Sequence, residues 1–571
     1  MSRRIVECVP NISEGRNREV IDAVVKAASS VPGARVLDVD PGAATNRTVI
    51  TVAGEPEAVL ESAFRIIERA GALIDMSVHT GAHPRQGATD VCPFVPVAGV
   101  TMDECVDLAR RLGDRVGREL GIPVYLYEKA ATRPSREKLP DIREGEYEAL
   151  PEKLGRPEWE PDFGPGGWSP AVARTGVTVI GARSFLVAYN VNLNTTDDSV
   201  AKEVALTIRD SGRTARDSNW KFIRDASGAK VQVPGLLQAC KATGWFIREY
   251  NCAQVTMNLT DISVTPLHVA FETTRREVEK LGYRVTGSEI VGLVPLSCML
   301  DAGRYYLEMQ NSGMSGTGRM AVSPGLPERR LVEAAVRSMG LRDVAGFDPA
   351  SKIIEYLVAD EPVLSGMTCR DFADELSSDS PAPGGGSVAA LIASLGAALS
   401  AMVANLTVKS RDCRAAWDEM REIAPKAQSL KEDLLRAIDD DTAAFNVFMD
   451  AVRKGEGVQE AMHAAAAVPM SVLERCPEIA SLAASVAANG LPASLSDAGV
   501  AASCARSASE GAYFNVVINA AQFEDRAAAE ALIARAAAIL EETSSIASSV
   551  VGDVRRRLET SAASGDEGKG K

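Results

Sequence analysis

Histidine is scarce in this chain: four occur in 571 residues, and two of them share the segment Val78-His-Thr-Gly-Ala-His-Pro-Arg-Gln-Gly-Ala-Thr-Asp-Val-Cys92. Imidazole titrates nearest to neutrality, so a pair held in a Gly- and Pro-punctuated loop points to proton transfer. The His79–His83 spacing is also that of a helical metal pair. Gly81 and Pro84 break a helix there, and only Asp90 or Cys92 offers a third ligand nearby, so no metal is expected. His83, flanked by Ala82 and Pro84, is placed on an exposed turn as the acid–base residue. For His79 a structural role is the competing reading.

Other polar residues close strands or open them beside this loop. Asp40 ends a strand before the turn Pro41-Gly42, Asn46 and Arg47 begin the next one, and Asn11 follows the first strand in Val9-Pro-Asn-Ile-Ser-Glu-Gly15. A split sheet brings such strand ends to one edge. Taken singly, Asp40 and Asn46 also read as turn residues and Arg47 as surface charge. A second cluster lies far downstream. Gly384, Gly385 and Gly386 in Ser380-Pro-Ala-Pro-Gly-Gly-Gly-Ser387 introduce an Ala-rich helix, whose free N–H groups suit an anion. A flexible helix cap is the plainer alternative. Asp439-Asp440-Asp441 sits inside a predicted helix, where three adjacent carboxylates repel one another, so at least one needs a task or a partner.

The elements that must position these residues follow from periodicity. Arg4–Val9, Arg35–Asp40, Arg47–Ala53 and Val91–Val97 read as strands, and Arg18–Ser30 and Glu55–Ala70 as helices, in the β-α-β-β-α-β order of a ferredoxin-like unit. Helix Met102–Leu120 and strand Pro123–Tyr127 extend it. The stretch from Ala131 to about Pro170 is long for a connection inside a domain, which favours a functional loop. A second α/β unit runs from Ser184, with helices Val200–Ser211 and Pro266–Leu281, strands Gly244–Tyr250, Ala253–Leu259 and Arg284–Leu296, and a final strand over Lys352–Val358. Beyond Ala359, Ala, Leu, Glu and Arg dominate, and segments near 388–408, 412–454, 456–488 and 524–559 predict an antiparallel helical bundle. The expected fold is therefore an α/β N-terminal part of two ferredoxin-like subdomains, residues 1–182 and 183–359, with an all-α C-terminal bundle, residues 368–560. Residues 360–367 read as a linker and 561–571 as a disordered tail.

Bulk properties narrow the class. A net charge of −15 argues against nucleic-acid binding. Ten scattered cysteines without a CxxC pair argue against a zinc ribbon or disulfide framework. The start has no apolar leader, and the apolar run around Val388–Val408 is broken by Gly and Ser and reads as a bundle helix. No membrane partner is expected, and the cytoplasm is the expected location.

Several of these segments are similar to one family. Glu7-Cys-Val-Pro-Asn-Ile-Ser-Glu-Gly15, Asp38-Val-Asp-Pro-Gly42, Thr45-Asn-Arg-Thr-Val49 and His83-Pro-Arg-Gln-Gly-Ala-Thr-Asp-Val-Cys-Pro-Phe94 resemble glutamate formimidoyltransferase, as does Arg156-Pro-Glu-Trp-Glu-Pro-Asp-Phe-Gly-Pro165. The C-terminal part resembles formimidoyltetrahydrofolate cyclodeaminase and the related methenyltetrahydrofolate cyclohydrolases, so the whole resembles the bifunctional formimidoyltransferase-cyclodeaminase family. The resemblance implies transfer of a formimidoyl group from N-formimidoyl-L-glutamate to tetrahydrofolate, then cyclisation to methenyltetrahydrofolate with loss of ammonia. It implies His83 as the catalytic histidine assisted by Asp40, and a folate segment over Gly164, Pro165, Gly166, Gly167, Trp168, Ser169, Pro170, Ala171, Val172 and Ala173. Gly166–Ser169 and Ala171–Arg174 depart from the family pattern, and Asn219–Val233 and Gly313–Arg329 look like insertions. Asp439-Asp-Asp-Thr-Ala-Ala-Phe445 matches the family's acidic motif, with Asp441 the first candidate for the cyclodeaminase acid and Asp439 the second. Arg47 suits a substrate carboxylate, and Asn11 and Gly384–Gly386 complete the binding candidates. Tetrahydrofolate, as its polyglutamate, is a co-substrate; no resident cofactor is implied. The resemblance also implies a homo-oligomer built from dimers. Cyclohydrolase chemistry in the bundle, or a folate-binding scaffold without catalysis, are the alternatives.

Overall fold

The computed structural model describes residues 4–219, 221–314, 323–344, 346–359 and 364–566. Packing divides them into two compact units. One holds residues 4–302 and 335–359, the other 303–334 and 364–566.

The first unit opens with β1 (Ile5–Cys8), β2 (Asn11–Ile12), α1 (Arg18–Ser29), β3 (Ala34–Gly42), β4 (Arg47–Gly54), α2 (Pro56–Leu73) and β5 (Thr89–Ala98). Asn17 starts α1 by accepting from the Glu19 and Val20 amides, the usual relief for unpaired N–H groups at a helix start. Both β1 and β2 pair with β4 and β5, so they are one strand interrupted at Val9-Pro10, and β3 lies outside β4. That is the ferredoxin-like order. The sheet then continues: α3 (Met102–Arg115), opened by a Thr101–Glu104 capping box, leads to β6 (Val124–Glu128), and β7 (Thr178–Ala182) inserts between β5 and β6 with parallel pairing to both. Strand β7 is absent from the sequence reading. Its Thr-Val-Ile-Gly-Ala run is short and follows a long irregular stretch. The apolar faces of α1, α2 and α3 bury Val24, Phe64, Ile67, Leu108 and Leu112 against one face of the sheet.

Between β6 and β7 the chain makes only short helices, α4 (Leu139–Ile142), α5 (Leu150–Lys153) and α6 (Pro170–Thr175). A buried pair holds this stretch. Arg136, 1% exposed, bonds to Asp162 at 2.8 Å, donates to the Glu158 and Glu160 carbonyls, and lies over the Tyr125 ring. Asp162 in turn accepts from the Leu126 amide of β6 at 2.8 Å. The length of this connection is thus stabilised through the two terminal nitrogens of one guanidinium.

The second half of this unit repeats the order with β8 (Val187–Leu193), α7 (Asp198–Ile208), the small hairpin β9 (Arg213–Thr214) and β10 (Gln232–Val233), then β11 (Cys240–Ile247), β12 (Cys252–Leu259), α8 (Leu267–Lys280) and β13 (Val285–Val291). The sheet runs β11-β12-β8-β13, antiparallel throughout. The expected insertion over 219–233 forms the hairpin tip, with Phe222 between Arg216 and Lys230; Trp220 lies outside the described residues. After β13 come α9 (Leu296–Met314) and α10 (Glu328–Ser338), then α11 (Pro349–Lys352) and α12 (Ile354–Val358). The strand expected over Lys352–Val358 is therefore corrected to helix. Only Ile353 bridges to Val294, because Pro349 starts a helical turn and the Ile353 carbonyl accepts from the Tyr356 and Leu357 amides.

The other unit consists of α13 (Cys369–Leu376), α14 (Gly385–Thr407), α15 (Trp417–Lys454), α16 (Val458–Asn489), α17 (Leu495–Ala520) and α18 (Arg526–Asp566). Short links make consecutive long helices antiparallel. Helix α17, unpredicted, packs on α14, α16 and α18. Its Ala, Ser and Gly residues line every face, so it carries no amphipathic stripe to read. Helix α14 is long and apolar enough to cross a membrane by composition, and it packs here against α15, α16 and α17. The tail is corrected too: α18 continues through Asp566, well past residue 560, while 567–571 and linker positions 360–363 lie outside the described residues. The described residues of 303–334, expected with the α/β part, group with the bundle. The Gly325 amide donates to Asn405 Oδ1 at 3.0 Å, and its carbonyl accepts from Asn405 and Gln428. A Cβ on Gly325 would stand 2.6 Å from that of Ala424, so no other residue allows this approach.

Replacing Arg136 with alanine strands Asp162 beneath the surface. The expected loss is about 3–5 kcal/mol, seen as a lower urea midpoint and as new proteolytic cleavage within 131–170; an unchanged cleavage pattern would show that the loop is held by other contacts.

Candidate active sites

His79 and His83 take different roles. The His79 Nδ1 accepts from Arg85 Nε at 3.3 Å, which makes Nε2 the protonated nitrogen, and that N–H donates to the Asn46 carbonyl at 3.1 Å. His79 is therefore tied at both ring nitrogens and serves structure. Asn46, at φ +50°, joins three loops: its side chain accepts from the Gly15 amide and donates to the Thr80 carbonyl. Gly81 passes so close to Thr45 and Asn46 that a side chain has no room. These contacts fix the turn that delivers His83.

His83 is half-buried, and its Nδ1 is buried without a hydrogen-bond partner. Its pKa is lowered, first by burial and then by the positive charges of Arg47 and Arg143, with the Pro84 backbone and Asp90 acting the other way. The imidazole is thus held neutral at pH 7 and ready to take a proton. Asp90 is buried at 1% exposure, accepts from the Gln86 amide at 2.8 Å and pairs with Arg143. That pairing accounts for it without a metal, and no cluster of three metal-ligating side chains occurs among the described residues. Asn11, in β2, opposes Val49 and Val91. Its amide donates to the Val9 carbonyl at 2.8 Å and its Oδ1 is left unpaired. Arg47 Nε, Arg143 Nε, Gln86 Oε1 and Thr89 Oγ1 are also buried and unpaired. Buried polar atoms are normally satisfied, so this concentration in one loop cluster marks a place for a polar ligand. Asp40 differs from expectation. It is exposed on β3, and the charge it acts on is Arg47.

A cleft of about 770 Å³ opens beside these groups, lined by His79, Thr80, Arg85, Arg143, Gly145 and Glu146 among others. Arg85 forms its wall, paired with Glu146 and Glu148. Tyr147 connects the wall to the expected folate segment: its amide donates to the Arg85 carbonyl, its hydroxyl to Ala173, and its ring meets that of Trp168 edge-on at 5.8 Å. Within that segment Gly164, at φ +84°, turns against the Ile122 carbonyl, and Ser169 caps α6 through the Val172 amide. Val172 anchors in the core. Pro165, Gly166, Gly167, Trp168, Pro170 and Ala171 are exposed, an accessible strip with one aromatic ring.

In the helical unit the acidic triplet separates. Asp441 receives the Ser387 hydroxyl at 3.0 Å, and the Ser387 backbone also acts on it. Gly386 lies so near that a Cβ would overlap the carboxylate. The Asp441 carboxyl thus stands at the N-terminus of α14, the position at which the sequence reading placed an external anion. Burial raises the Asp441 pKa and the Ser387 contacts oppose that rise. Gly385 lies against Asn515 of α17, a residue that sequence reading missed, so three helices meet here. Asp439 goes elsewhere. It accepts from the Leu364 amide at 2.7 Å and from the Ser365 amide and hydroxyl, fastening the segment that leads into the bundle. It is not brought together with Gly384–Gly386.

Three family models cover the chain in order: the formiminotransferase domain N-terminal subdomain over residues 5–183, the formiminotransferase domain over 188–359, and formiminotransferase-cyclodeaminase over 368–538. A formimidoyltransferase-cyclodeaminase from Mus musculus is 42% identical over 570 residues, covering 97% of this chain and 100% of its own. The chain belongs to the formimidoyltransferase-cyclodeaminase family. A glutamate formimidoyltransferase from Streptococcus pyogenes is 41% identical and covers 54% of the chain and 95% of its own length. A methenyltetrahydrofolate cyclohydrolase from Methylorubrum extorquens is 32% identical over 34% of the chain and 97% of its own length. For this family member the two His83 and Asp441 sites therefore sit one in each matched half.

Asp441 supplies a stability test. Its folded pKa is raised, so the folded state holds a proton over a range where the unfolded chain has lost it, and stability falls as pH rises through that range. Asp441→Asn is expected to raise the bundle's melting temperature at pH 7 relative to the parent. The gain should vanish below the ordinary aspartate pKa. Equal melting temperatures at both pH values would show that burial there carries no penalty.

Proposed function

We propose that the α/β half transfers the formimidoyl group of N-formimidoyl-L-glutamate to N5 of tetrahydrofolate, and that the bundle closes the product to 5,10-methenyltetrahydrofolate with release of ammonia. The chain is a bifunctional enzyme of a folate-dependent family. The observation that carries the residue assignment is the group of unpaired buried polar atoms around a neutral His83. As N5 attacks the formimidoyl carbon it loses a proton, which neutral His83 accepts. As the tetrahedral intermediate collapses, the same proton passes to the departing glutamate nitrogen. Arg47 binds a substrate carboxylate, and Asp40 acts through Arg47. The strip from Gly164 to Ala173, with Trp168, supports the folate. In the bundle N10 attacks the formimidoyl carbon and the leaving nitrogen needs a proton. A raised pKa suits Asp441 to give it.

The other expectations have specific support. All ten cysteines are free thiols, which suits a reducing, cytoplasmic setting. Leu395, Met402 and Leu406 on α14 and Phe514 and Ile518 on α17 are exposed, and such faces support a homo-oligomer built from dimers. One observation favours a second reading, hydrolysis of the methenyl group in the bundle: the likeness to a cyclohydrolase.

Incubation with N-formimidoyl-L-glutamate and tetrahydrofolate, following ammonia and methenyl absorbance together, separates the readings. Accumulation of 5-formimidoyltetrahydrofolate with neither ammonia nor methenyl absorbance would remove the cyclodeaminase, and loss of absorbance from supplied 5,10-methenyltetrahydrofolate would favour the hydrolase. His83→Gln should cut transfer roughly a hundredfold or more while ammonia release from supplied 5-formimidoyltetrahydrofolate continues. Asp441→Asn should do the reverse and let that intermediate accumulate.

The pH profile tests the charge argument. A lowered His83 pKa puts the acid limb of transferase activity below the ordinary imidazole value. Removing a neighbouring cation favours imidazolium, so Arg47→Gln should move that limb to higher pH. A limb that stays in place would detach Arg47 from His83.

A further inference from the structure

Arg143 has entered so far only as a charge beside His83 and a partner of Asp90, and its surroundings are specific. It follows α4, in the stretch of short turns between β6 and β7, yet its guanidinium reaches the His83 loop. One terminal nitrogen pairs with Asp90, whose other oxygen is taken by the Gln86 amide. The Arg143 Nε is buried and unpaired, and the side chain, 15% exposed, lines the cleft. Arg47 presents the same situation from β4: a buried Nε without a partner. Two guanidinium groups therefore keep donors in reserve beside one imidazole.

We infer that Arg143, positioned by Asp90, is the second carboxylate-binding group of the transferase site, and that Arg47 and Arg143 together select a dicarboxylate donor. The inference rests on the transferase reading. The charges balance: two cations and the Asp90 carboxylate sum to +1, while a donor with two carboxylates and one amidinium carries −1. The geometry also explains the role of Asp90. A guanidinium has five N–H donors in a rigid fork. Holding one corner with a buried carboxylate fixes the plane and leaves the Nε edge for a ligand.

The probe is N-formimidoyl-L-glutamine, which matches the glutamate donor in shape and lacks one carboxylate. With the full-length protein, the glutamate donor should be preferred in kcat/KM by roughly 10- to 100-fold, the range for a hydrogen bond to a charged group. Arg143→Gln should erase that preference by raising KM for the glutamate donor alone, with KM for tetrahydrofolate and ammonia release from 5-formimidoyltetrahydrofolate unchanged. Arg143→Lys should retain part of the preference, and Asp90→Asn should weaken it with kcat less affected than KM. A parent enzyme that uses both donors equally overturns the inference even if Arg143→Gln fails to fold. An equal KM rise for both donors, or a rise confined to tetrahydrofolate, also overturns it. Absence of any transfer from the glutamate donor to tetrahydrofolate in the parent enzyme would instead defeat the transferase reading itself.

Discussion

A carboxylate buried at 1% exposure is tolerable only when its charge is answered, and the transferase half is arranged around that requirement at Asp90. The Gln86 amide and the Arg143 guanidinium answer it. Between them they tie the start of β5 to the chain just after α4, far away in sequence. Gln86 extends the tie by donating to the Ile142 carbonyl at 2.9 Å. The residue that needs the charge answered thus also sets the distance between the His83 turn and the cleft wall. Arg136 and Asp162 repeat the device at the other end of the same connection. A segment with almost no regular structure is held by two paired ions, and its ordered course follows from electrostatics rather than from helix or strand propensity.

The bundle solves the same problem with different partners. Among the described residues no cation pairs with Asp441; its carboxyl is met by the first turn of α14 and the Ser387 hydroxyl. Burial raises the Asp441 pKa, and the Ser387 contacts oppose that rise. The two carboxylates are buried to similar purpose and differ in chemistry for that reason. Asp90, paired with Arg143, orients its neighbours. Asp441, its pKa raised by burial, is the one suited to give a proton away.

Much of this was legible in the chain. Period-two alternation and Pro-Gly turns located the strands of both α/β units, and the loss of β-branched runs after Ala359 marked the bundle. His83 stood out by rarity and by its flanking Gly and Pro. What escaped reading did so for identifiable reasons. Arg143 lies 53 residues from Asp90, and nothing local distinguishes it from other surface arginines. Asp439 and Asp441 look equivalent in a string. Two helical positions are about 200° apart around the axis, so one faces Leu364 and Ser365 and the other faces Gly386 and Ser387. Helix α17 and strand β7 lack the periodic contrast on which pattern reading depends. Lys352–Val358 has strand composition, and the tertiary setting makes it helical.

The Gly325 contact has a consequence for how the protein is made. Asn405 and Gln428, which bind the Gly325 backbone, follow it by 80 and 103 residues. A ribosome adding roughly 5–20 residues per second therefore releases the Gly325 segment several seconds before either partner exists. During that interval the Gly325 amide and carbonyl wait for helices not yet translated. The order of synthesis turns a single glycine contact into a delay: the Gly325 segment leaves the tunnel ahead of the two helices that bind it.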